Sequence, residues 1–301
     1  IESTSVNKNG KITHADLCLS NNKQQQKFLN LKKKLNNISN IPIGIQISHS
    51  GRKGSSFVPW IKSNKPLDDK NKSWQTYAPS SLKRDKNWPV PKSLKKKQIL
   101  NLINDFKNTT KRAKEIGFEC LEIHMAHGYL LHQFISPISN LRKDEFGGSA
   151  ANRATVPLTI AKEIRKIWPK NKILGARITA TDHLSNGIKL KDSTYLIKQL
   201  EKIGFDYICV SSGGILPKTN LKFKNGFRKN LSKKIKKKTS MIIRSSGLIS
   251  EINFANNLIK NKSLDMVAVG RKFINDPYWV LKKMPNKKIK KYLPNQYLKC
   301  F

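Results

Sequence analysis

Short apolar segments alternate along the chain with longer segments in which apolar residues recur at helical spacing. The short segments predict strands at residues 1–6, 42–49, 118–125, 172–179, 205–211, 240–246 and 264–269. The longer segments predict helices at residues 22–37, 93–116, 150–168, 192–203, 228–238, 250–260 and 277–283. Such regular alternation indicates parallel strands that are joined by crossover helices.

The alternation favours the α/β class and a (β/α)8 TIM barrel formed by residues 1–301 as one domain. Seven strands are visible, and an eighth strand upstream would close the barrel. The chain begins with Ile1 rather than Met, beside a strand-like segment, so we expect that the first β/α unit is missing. The alternative is an open doubly wound sheet, which needs a glycine-rich turn after its first strand. Residues 3–7 read Ser-Thr-Ser-Val-Asn and provide no such turn.

Capping residues stand at several predicted helix ends. Ser93 and Ser250 occupy positions where an N-cap is expected. Gly117 and Gly204 directly follow two predicted helices, where a glycine in the left-handed conformation commonly ends a helix. These four residues therefore predict where the helices begin and end.

Residues 51–91 form a long predicted loop that is rich in Pro, Ser, Trp and Lys. Loops of this length are uncommon unless they are functional. In a barrel this loop would cover the mouth as a lid, and Trp60, Trp74, Tyr77 and Trp88 could pack it down. A flexible insertion is the alternative interpretation.

The formal net charge is +40, which is usually associated with nucleic acid or an anionic surface. The lysines are spread over nearly the whole chain and accompany abundant Asn and Ile, which indicates compositional drift on solvated helix faces. No arginine-rich helix or interleaved aromatic platform is visible. We expect no specific nucleic-acid partner, and a basic nucleic-acid-binding protein stays open as an alternative function.

The four cysteines are far apart and form no Cys-x-x-Cys pair: Cys18, Cys120, Cys209 and Cys300. A zinc or iron–sulfur site is therefore not expected, and we predict no metal. A reducing, cytoplasmic setting fits these thiols. The sequence contains no recognisable signal peptide and no apolar run long enough to span a bilayer, so no membrane partner is expected.

Candidate chemistry stands at the ends of the predicted strands, where barrel active sites form. His124, His127 and Tyr129 follow the apolar run of residues 118–123. Two imidazoles and a phenol held together can hydrogen-bond one substrate oxygen and deliver a proton nearby. An isolated His-x-x-His is as easily a surface loop without function. That alternative is weakened because polar or glycine residues stand at every strand end.

Other strand ends predict a bound anionic cofactor. Arg177 interrupts an apolar strand, where it forms either a structural ion pair or a cation facing a cofactor ring. Gln46 can pair with a ring edge that presents both a donor and an acceptor, as a flavin pyrimidine edge does. Gly247 and the Gly270-Arg271 pair follow the last two strands, where barrel phosphate sites often lie. Glycine admits a phosphate to the backbone N–H groups, and arginine adds charge.

Two stretches of the sequence are highly specific when taken together. Residues 44–53 read Gly-Ile-Gln-Ile-Ser-His-Ser-Gly-Arg-Lys, and residues 122–134 read Glu-Ile-His-Met-Ala-His-Gly-Tyr-Leu-Leu-His-Gln-Phe. Further matching stretches are residues 136–142, 144–149, 152–153, 267–271 and 276–277. In these residues, and over nearly its whole length, the chain resembles the old yellow enzyme family of FMN-dependent ene-reductases, particularly its bacterial NADPH dehydrogenase and xenobiotic-reductase branch.

The resemblance implies a (β/α)8 barrel with FMN at its mouth and NADPH or NADH as the reductant. Ser3 and Gln46 would contact the flavin, and Arg177 would face its N1–C2=O side. The resemblance also implies a set of residues that hold the cofactor phosphate: Gly247, Gly270 and Arg271.

For the reaction, the resemblance implies reduction of the C=C bond of an α,β-unsaturated carbonyl or nitro compound. His124 and His127 would bind the carbonyl or nitro oxygen, and Tyr129 would donate the proton. Lys299 stands where the bacterial branch often has an arginine that reaches a neighbouring subunit, so a homo-oligomer is an open expectation. A barrel fragment without activity is the alternative for a chain that lacks its first unit.

Overall fold

Seven parallel strands form the main sheet in the computed structural model, which describes residues 1–217 and 223–300, apart from the side chains of residues 286, 287 and 300. The strands of the chain are β1 (Ser3–Ser5), β2 (Gly44–Ser48), β3 (Tyr77–Ala78), β4 (Lys92–Ser93), β5 (Cys120–Met125), β6 (Ile173–Thr179), β7 (Tyr207–Ser211), β8 (Ile242–Ser246) and β9 (Met266–Ala268). The main sheet has the order β1-β2-β5-β6-β7-β8-β9 and every pairing in it is parallel. The short β3 and β4 pair separately.

Helices connect successive strands of this sheet, as crossovers between parallel strands require. The described helices are α1 (Asn22–Ile38), α2 (Lys96–Ile116), α3 (Leu130–Ile135), α4 (Ala150–Ile167), α5 (Leu190–Ile203), α6 (Lys229–Lys236), α7 (Ile252–Lys260), α8 (Arg271–Asn275) and α9 (Asn286–Ile289). The seven predicted strands and the first six predicted helices are confirmed at their places along the chain. The expectation that a first β/α unit is missing stays a prediction.

The seventh predicted helix, at residues 277–283, is wrong. Residues 277–280 form a turn in which Trp279 is buried, and only a short 3-10 turn follows at Leu281–Lys283. Met284, which precedes Pro285, is extended with a ψ of 143°, so no helix continues past Lys283.

The capping predictions have mixed outcomes. Gly117 and Gly204 end α2 and α5 in the left-handed conformation, with φ of 89° and 90°, as predicted. Ser93 and Ser250 do not cap α2 and α7. Ser93 belongs to β4 and its hydroxyl donates to the carbonyl oxygen of Pro79 at 2.8 Å, so the β3–β4 pairing displaces the start of α2.

The apolar core lies between the sheet and its helices. Outward residues of the strands, such as Ile47, Ile123 and Ile178, are fully buried and belong to one continuous cluster with helix residues. The alternate residues point the other way and are largely polar, as with Glu122 and His124. Because successive side chains of a strand face opposite sides, the inner side of the sheet is a polar, cavity-lined surface.

Residues 51–91 are folded over the rest of the chain. They contain two 3-10 turns, Gly51–Lys53 and Asp69–Asn71, and their last part pairs as β3 with β4. Trp88 is buried, whereas Trp60 is 79% exposed, so the prediction that Trp60 packs this segment down is wrong. A lid function for the segment stays a prediction. Within the described part of the chain, no helix is long and apolar enough to cross a membrane.

Candidate active site

Two neighbouring cavities share the side chain of Arg177. The first, which we call the lumen cavity, has a volume of about 590 Å³ and lies on the inner side of the sheet. Six predicted site residues line it: Ser3, Gln46, His124, His127, Tyr129 and Arg177. The second, which we call the strand-end cavity, has a volume of about 660 Å³. Arg177 and the three residues predicted to hold a phosphate line it: Gly247, Gly270 and Arg271.

The two histidines form a hydrogen-bonded pair. The backbone N–H of Ala126 donates to Nδ1 of His124 at 3.1 Å, so the proton of neutral His124 lies on Nε2. His124 Nε2 then donates to Nδ1 of His127 at 3.1 Å, and His127 Nε2 donates to Oγ of Ser211 at 2.7 Å. The ring of Tyr129 lies 4.6 Å from that of His124, between centroids. Both imidazoles therefore present Nε2–H as their donor group.

Buried hydrogen bonds hold the loop that carries these side chains in place. His127 has a φ of 58°, which is uncommon for a residue other than glycine, and Gly128 continues the left-handed turn with a φ of 71°. The N–H of Gly128 donates to Nδ1 of His132 at 2.7 Å, and buried His132 in turn bonds Asp182 at 2.9 Å. These contacts fix the turn that directs His127 into the cavity.

Burial keeps the side chains of His124, His127 and Tyr129 uncharged. Burial, followed by the charge of Arg177, lowers the pKa of His124 well below its usual range, and burial with His124 and Arg177 does the same for His127. Burial also raises the pKa of Tyr129 to about 12. At neutral pH the site therefore holds two neutral N–H donors and one protonated phenol.

Lys53 is a titratable group that sequence reasoning did not single out as a site residue. Its ammonium nitrogen lies 5.6 Å from the centre of the Tyr129 ring and donates to the carbonyl oxygen of His127. Burial, with the nearby charges of Arg84 and Arg52, lowers the pKa of Lys53 to about 7. The positive charge beside the phenol is therefore present only below about neutral pH.

Arg177 has no ion-pair partner among the described residues. Its Nη2 lies 3.5 Å from Oγ of Ser246, and its buried Nε has no hydrogen-bond partner within the described chain. Arg228, which sequence reasoning missed, lies beside it and contacts Ser246 and Ser212. Burial and the charge of Arg177 lower the pKa of Arg228 to about 10. Arg228 directly precedes α6 and begins the helix predicted at residues 228–238, so no strand-end pattern marks it.

The strand-end cavity is strongly cationic. Five of the described residues that line it are basic and none is acidic: Arg177, Lys224, Arg228, Arg271 and Lys272 are the basic ones. Gly247 has a φ of 143°, and a Cβ added there would lie 3.0 Å from the ring of Phe227. Any residue other than glycine would therefore be strained at this position. This arrangement suits a multiply charged oxyanion such as a phosphate.

Glu122 and Arg244 also line the lumen cavity and form an ion pair there. Sequence reasoning missed both residues as site residues. Each interrupts an apolar strand, as Arg177 does, so the signal that singled out Arg177 would have found them. Within the described residues, no group of three or more His, Cys, Asp or Glu is arranged to hold a metal ion.

A sequence profile of the NADH:flavin oxidoreductase / NADH oxidase family matches residues 1–291 of this chain. The chain belongs to this family. An NADPH dehydrogenase of Clostridium acetobutylicum is 34% identical over 304 residues, which cover 100% of this chain and 84% of that relative. These similarities place the chain among the FMN-dependent, NAD(P)H-using oxidoreductases of the old yellow enzyme type.

Solved structures agree on the fold. An old yellow enzyme homologue from Zymomonas mobilis has a TM-score of 0.76 and 20% identity, with 94% of this chain and 79% of that chain covered. A complex of 2-naphthoyl-CoA reductase with 2-naphthoyl-CoA has a TM-score of 0.82 and 21% identity, and the match covers 94% of this chain and 44% of the reductase. This chain therefore spans less than half of that reductase. The predicted (β/α)8 barrel class is confirmed.

Proposed function

We propose that this chain uses NAD(P)H and FMN to reduce the C=C bond of α,β-unsaturated carbonyl or nitro compounds. The observation that carries the proposal is the neutral His124–His127 pair, with Tyr129 beside it and Arg177 in the same cavity. The pair offers N–H donors for one oxygen atom, and the phenol offers a proton at a second position.

The residues of the two cavities fit FMN. Arg177 is a partly buried cation without an ion-pair partner among the described residues, which suits a ring that becomes anionic on reduction. The strand-end cavity suits the phosphate, with Gly247, Gly270 and Arg271 as the residues that would hold it. The chemistry that bound FMN supplies is two-electron transfer from NAD(P)H to the substrate double bond.

Ser3 and Gln46 would contact the ring from neighbouring strands. They are register partners in the β1–β2 pairing, so both side chains project from the same level of the sheet. Oγ of Ser3 shares a hydrogen bond with Oγ of Ser48 at 2.6 Å, which holds it at the cavity wall. The Gln46 amide offers both a donor and an acceptor, as a flavin pyrimidine edge requires.

The histidine pair would bind and polarise the substrate oxygen. A carbonyl or nitro oxygen that gains negative charge during reduction is stabilised by Nε2–H donors of His124 and His127. One such donor contributes about 3–4 kcal/mol to transition-state stabilisation, by analogy with oxyanion donors. Because burial keeps both imidazoles neutral, they act as hydrogen-bond donors and give up no proton at neutral pH.

Tyr129 would deliver the proton. With a pKa of about 12 the phenol is fully protonated at neutral pH, and it becomes a proton donor to the substrate Cα as negative charge develops there. Positioned proton transfer of this kind contributes about 10²–10⁴-fold to rate. A positive Lys53 beside the ring would favour the phenolate that this transfer leaves behind.

The proposal is tested by incubating the purified chain with FMN, desalting it, and assaying NADPH-dependent reduction of 2-cyclohexenone. Retained flavin with enone-dependent NADPH oxidation supports the proposal. Retained flavin without enone or nitroalkene reduction overturns the substrate class. Specific nucleic-acid binding with a steep salt dependence, and no retained flavin, would favour the basic-protein alternative instead.

A further inference from the structure

Arg244 extends from β8 into the lumen cavity and pairs with Glu122 on β5. Its guanidinium lies over the ring of Tyr207, 4.7 Å from the ring centre. The register places His124, Arg177, Cys209 and Arg244 side by side on four neighbouring strands. Arg244 therefore lies at the same level of the sheet as the arginine proposed to face the flavin.

The carboxylate of Glu122 accepts hydrogen bonds from three side chains that line the lumen cavity. Its Oε1 accepts a hydrogen bond from Nε2 of Gln46 at 2.5 Å, and its Oε2 accepts from the hydroxyl of Tyr207 at 2.8 Å and from Arg244. Three donors from three strands thus converge on one carboxylate. Arg244 is the only one of these three donors that carries a positive charge to compensate the carboxylate.

The same contacts fix the orientation of Gln46. One N–H of the amide donates to Glu122, so the second N–H and the amide oxygen stay available to a ligand in the lumen cavity. A flavin ring presents an N–H donor at its N3 position. The hydrogen bond to Glu122 therefore fixes the orientation in which Gln46 would present its oxygen and its second N–H to a ring.

We propose that Arg244 is a positioning residue that neutralises Glu122 beside the flavin ring and thereby raises the midpoint potential of bound FMN. The inference rests on the proposed function, because it requires FMN to bind in the lumen cavity. Glu122 without its partner would place an unpaired negative charge beside a ring that becomes anionic on reduction. Arg244 without Glu122 would place an unpaired positive charge there. The charge near the ring would therefore depend on the Glu122–Arg244 pair as well as on Arg177.

The sign of the change separates this role from a merely structural one. Arg244→Met should lower the midpoint potential of bound FMN, and Glu122→Gln should raise it. The double variant Glu122→Gln/Arg244→Met should have a potential close to that of the wild type. Arg244→Lys should also have a potential close to the wild-type value, because it keeps the positive charge. If the substitutions acted only through lost packing, the midpoint potentials of all four variants would shift in the same direction or would not shift.

The measurement is a redox titration of the FMN-loaded protein, made at one pH for all variants. We expect each single variant to change the ratio of affinities for reduced and oxidised FMN at least tenfold, which is about 30 mV for a two-electron couple. Lys236→Met, which breaks the ion pair with Asp265 outside the lumen cavity, should leave the potential unchanged.

Failure of the inference and failure of the proposed function give different results. Wild-type protein that retains no FMN overturns both. Wild-type protein that retains FMN, with Arg244→Met and Glu122→Gln shifting the potential in the same direction or not at all, overturns the inference alone. Opposite shifts in a protein that does not reduce enones support the inference and overturn only the substrate class. If Arg244→Met does not fold, Glu122→Gln still decides, since an unchanged or lowered potential contradicts the proposal.

Discussion

Nε2 of His127 lies 2.7 Å from Oγ of Ser211, at the end of a hydrogen-bond chain that begins at the backbone N–H of Ala126. Through this chain His124 donates to His127, and His127 donates to the serine. Both imidazole N–H groups are thus bound to protein acceptors. A substrate oxygen must take the place of at least one of these acceptors to receive a hydrogen bond from the pair.

Removal of the competing acceptor should strengthen ligand binding. In Ser211→Ala the His127 N–H loses its protein partner, so it gains more from a ligand oxygen. A neutral hydrogen bond has a net value of about 1 kcal/mol, so a phenol should bind the oxidised, FMN-loaded variant about fivefold more tightly. Titration of the flavin absorbance with 4-hydroxybenzaldehyde measures this. Weaker binding would mean that the serine acts mainly by holding the imidazole in place.

Loss of the first histidine should affect one half-reaction selectively. His124→Ala removes a donor to the substrate oxygen, so enone reduction should slow by about 10²–10³-fold and phenol binding should weaken. Reduction of the bound flavin by NADPH should change much less. Stopped-flow absorbance follows the two half-reactions separately. An equal loss in both would show that His124 supports the flavin site in general.

Tyr129→Phe should slow the enone half-reaction by about 10²–10⁴-fold, because the variant retains the ring and loses the proton. The wild-type phenol has a pKa of about 12, so its protonation contributes no pH dependence to the rate below about pH 10. Tyr77→Phe, outside the lumen cavity, provides a matched control. A Tyr129→Phe variant that reduces enones at the wild-type rate would exclude Tyr129 as the proton donor.

Lys53 should produce an inflection near neutral pH. With a pKa of about 7 its ammonium is charged below that pH, where it stabilises negative charge on Tyr129, and neutral above it. The enone half-reaction should therefore fall by about fivefold as pH rises through 7, a difference of about 1 kcal/mol in activation free energy. Lys53→Met should give a flat profile at the lower, high-pH rate. An inflection that survives in Lys53→Met must come from another group.

Arg271 should distinguish FMN from riboflavin. If its guanidinium holds the phosphate, Arg271→Ala should weaken FMN binding by about 10- to 150-fold and leave riboflavin binding unchanged, since charge-assisted hydrogen bonds contribute about 1.5–3 kcal/mol when formed. Fluorescence quenching of each flavin on titration with the chain measures both affinities. Lys260→Ala is the control outside both cavities. Equal weakening of both flavins would mean that Arg271 supports the cavity wall and does not contact the phosphate.

The strand positions and the inward-facing polar residues could be predicted from the sequence for the same physical reason. Parallel strands with both faces covered have apolar outward residues, so an inward polar residue such as Arg177 stands out against its neighbours. The carboxyl ends of the strands then meet at one edge, which brings His124 and Gly247 into neighbouring cavities. The resemblance added roles that spacing alone leaves open.

Other features depend on contacts that no local pattern records. Arg228 reaches Arg177 from a connecting segment, and the low pKa of Lys53 arises from burial beside Arg52 and Arg84. The His127–Ser211 hydrogen bond joins the loop after β5 to the end of β7, and the two residues are 84 positions apart in the sequence. Such contacts arise from tertiary packing, and no periodic pattern in a single sequence predicts them. The contact of Lys299 with a neighbouring subunit stays a prediction.

The most direct test of the central claim is an anaerobic double-mixing experiment on the FMN-loaded chain. NADPH is added first, and 2-cyclohexenone follows once the flavin absorbance is stable. The account predicts that NADPH removes the visible flavin band and that the enone restores it without oxygen, with one equivalent of cyclohexanone formed per flavin. A band that NADPH leaves unchanged, or a reduced flavin that neither the enone nor a nitroalkene reoxidises, would contradict it.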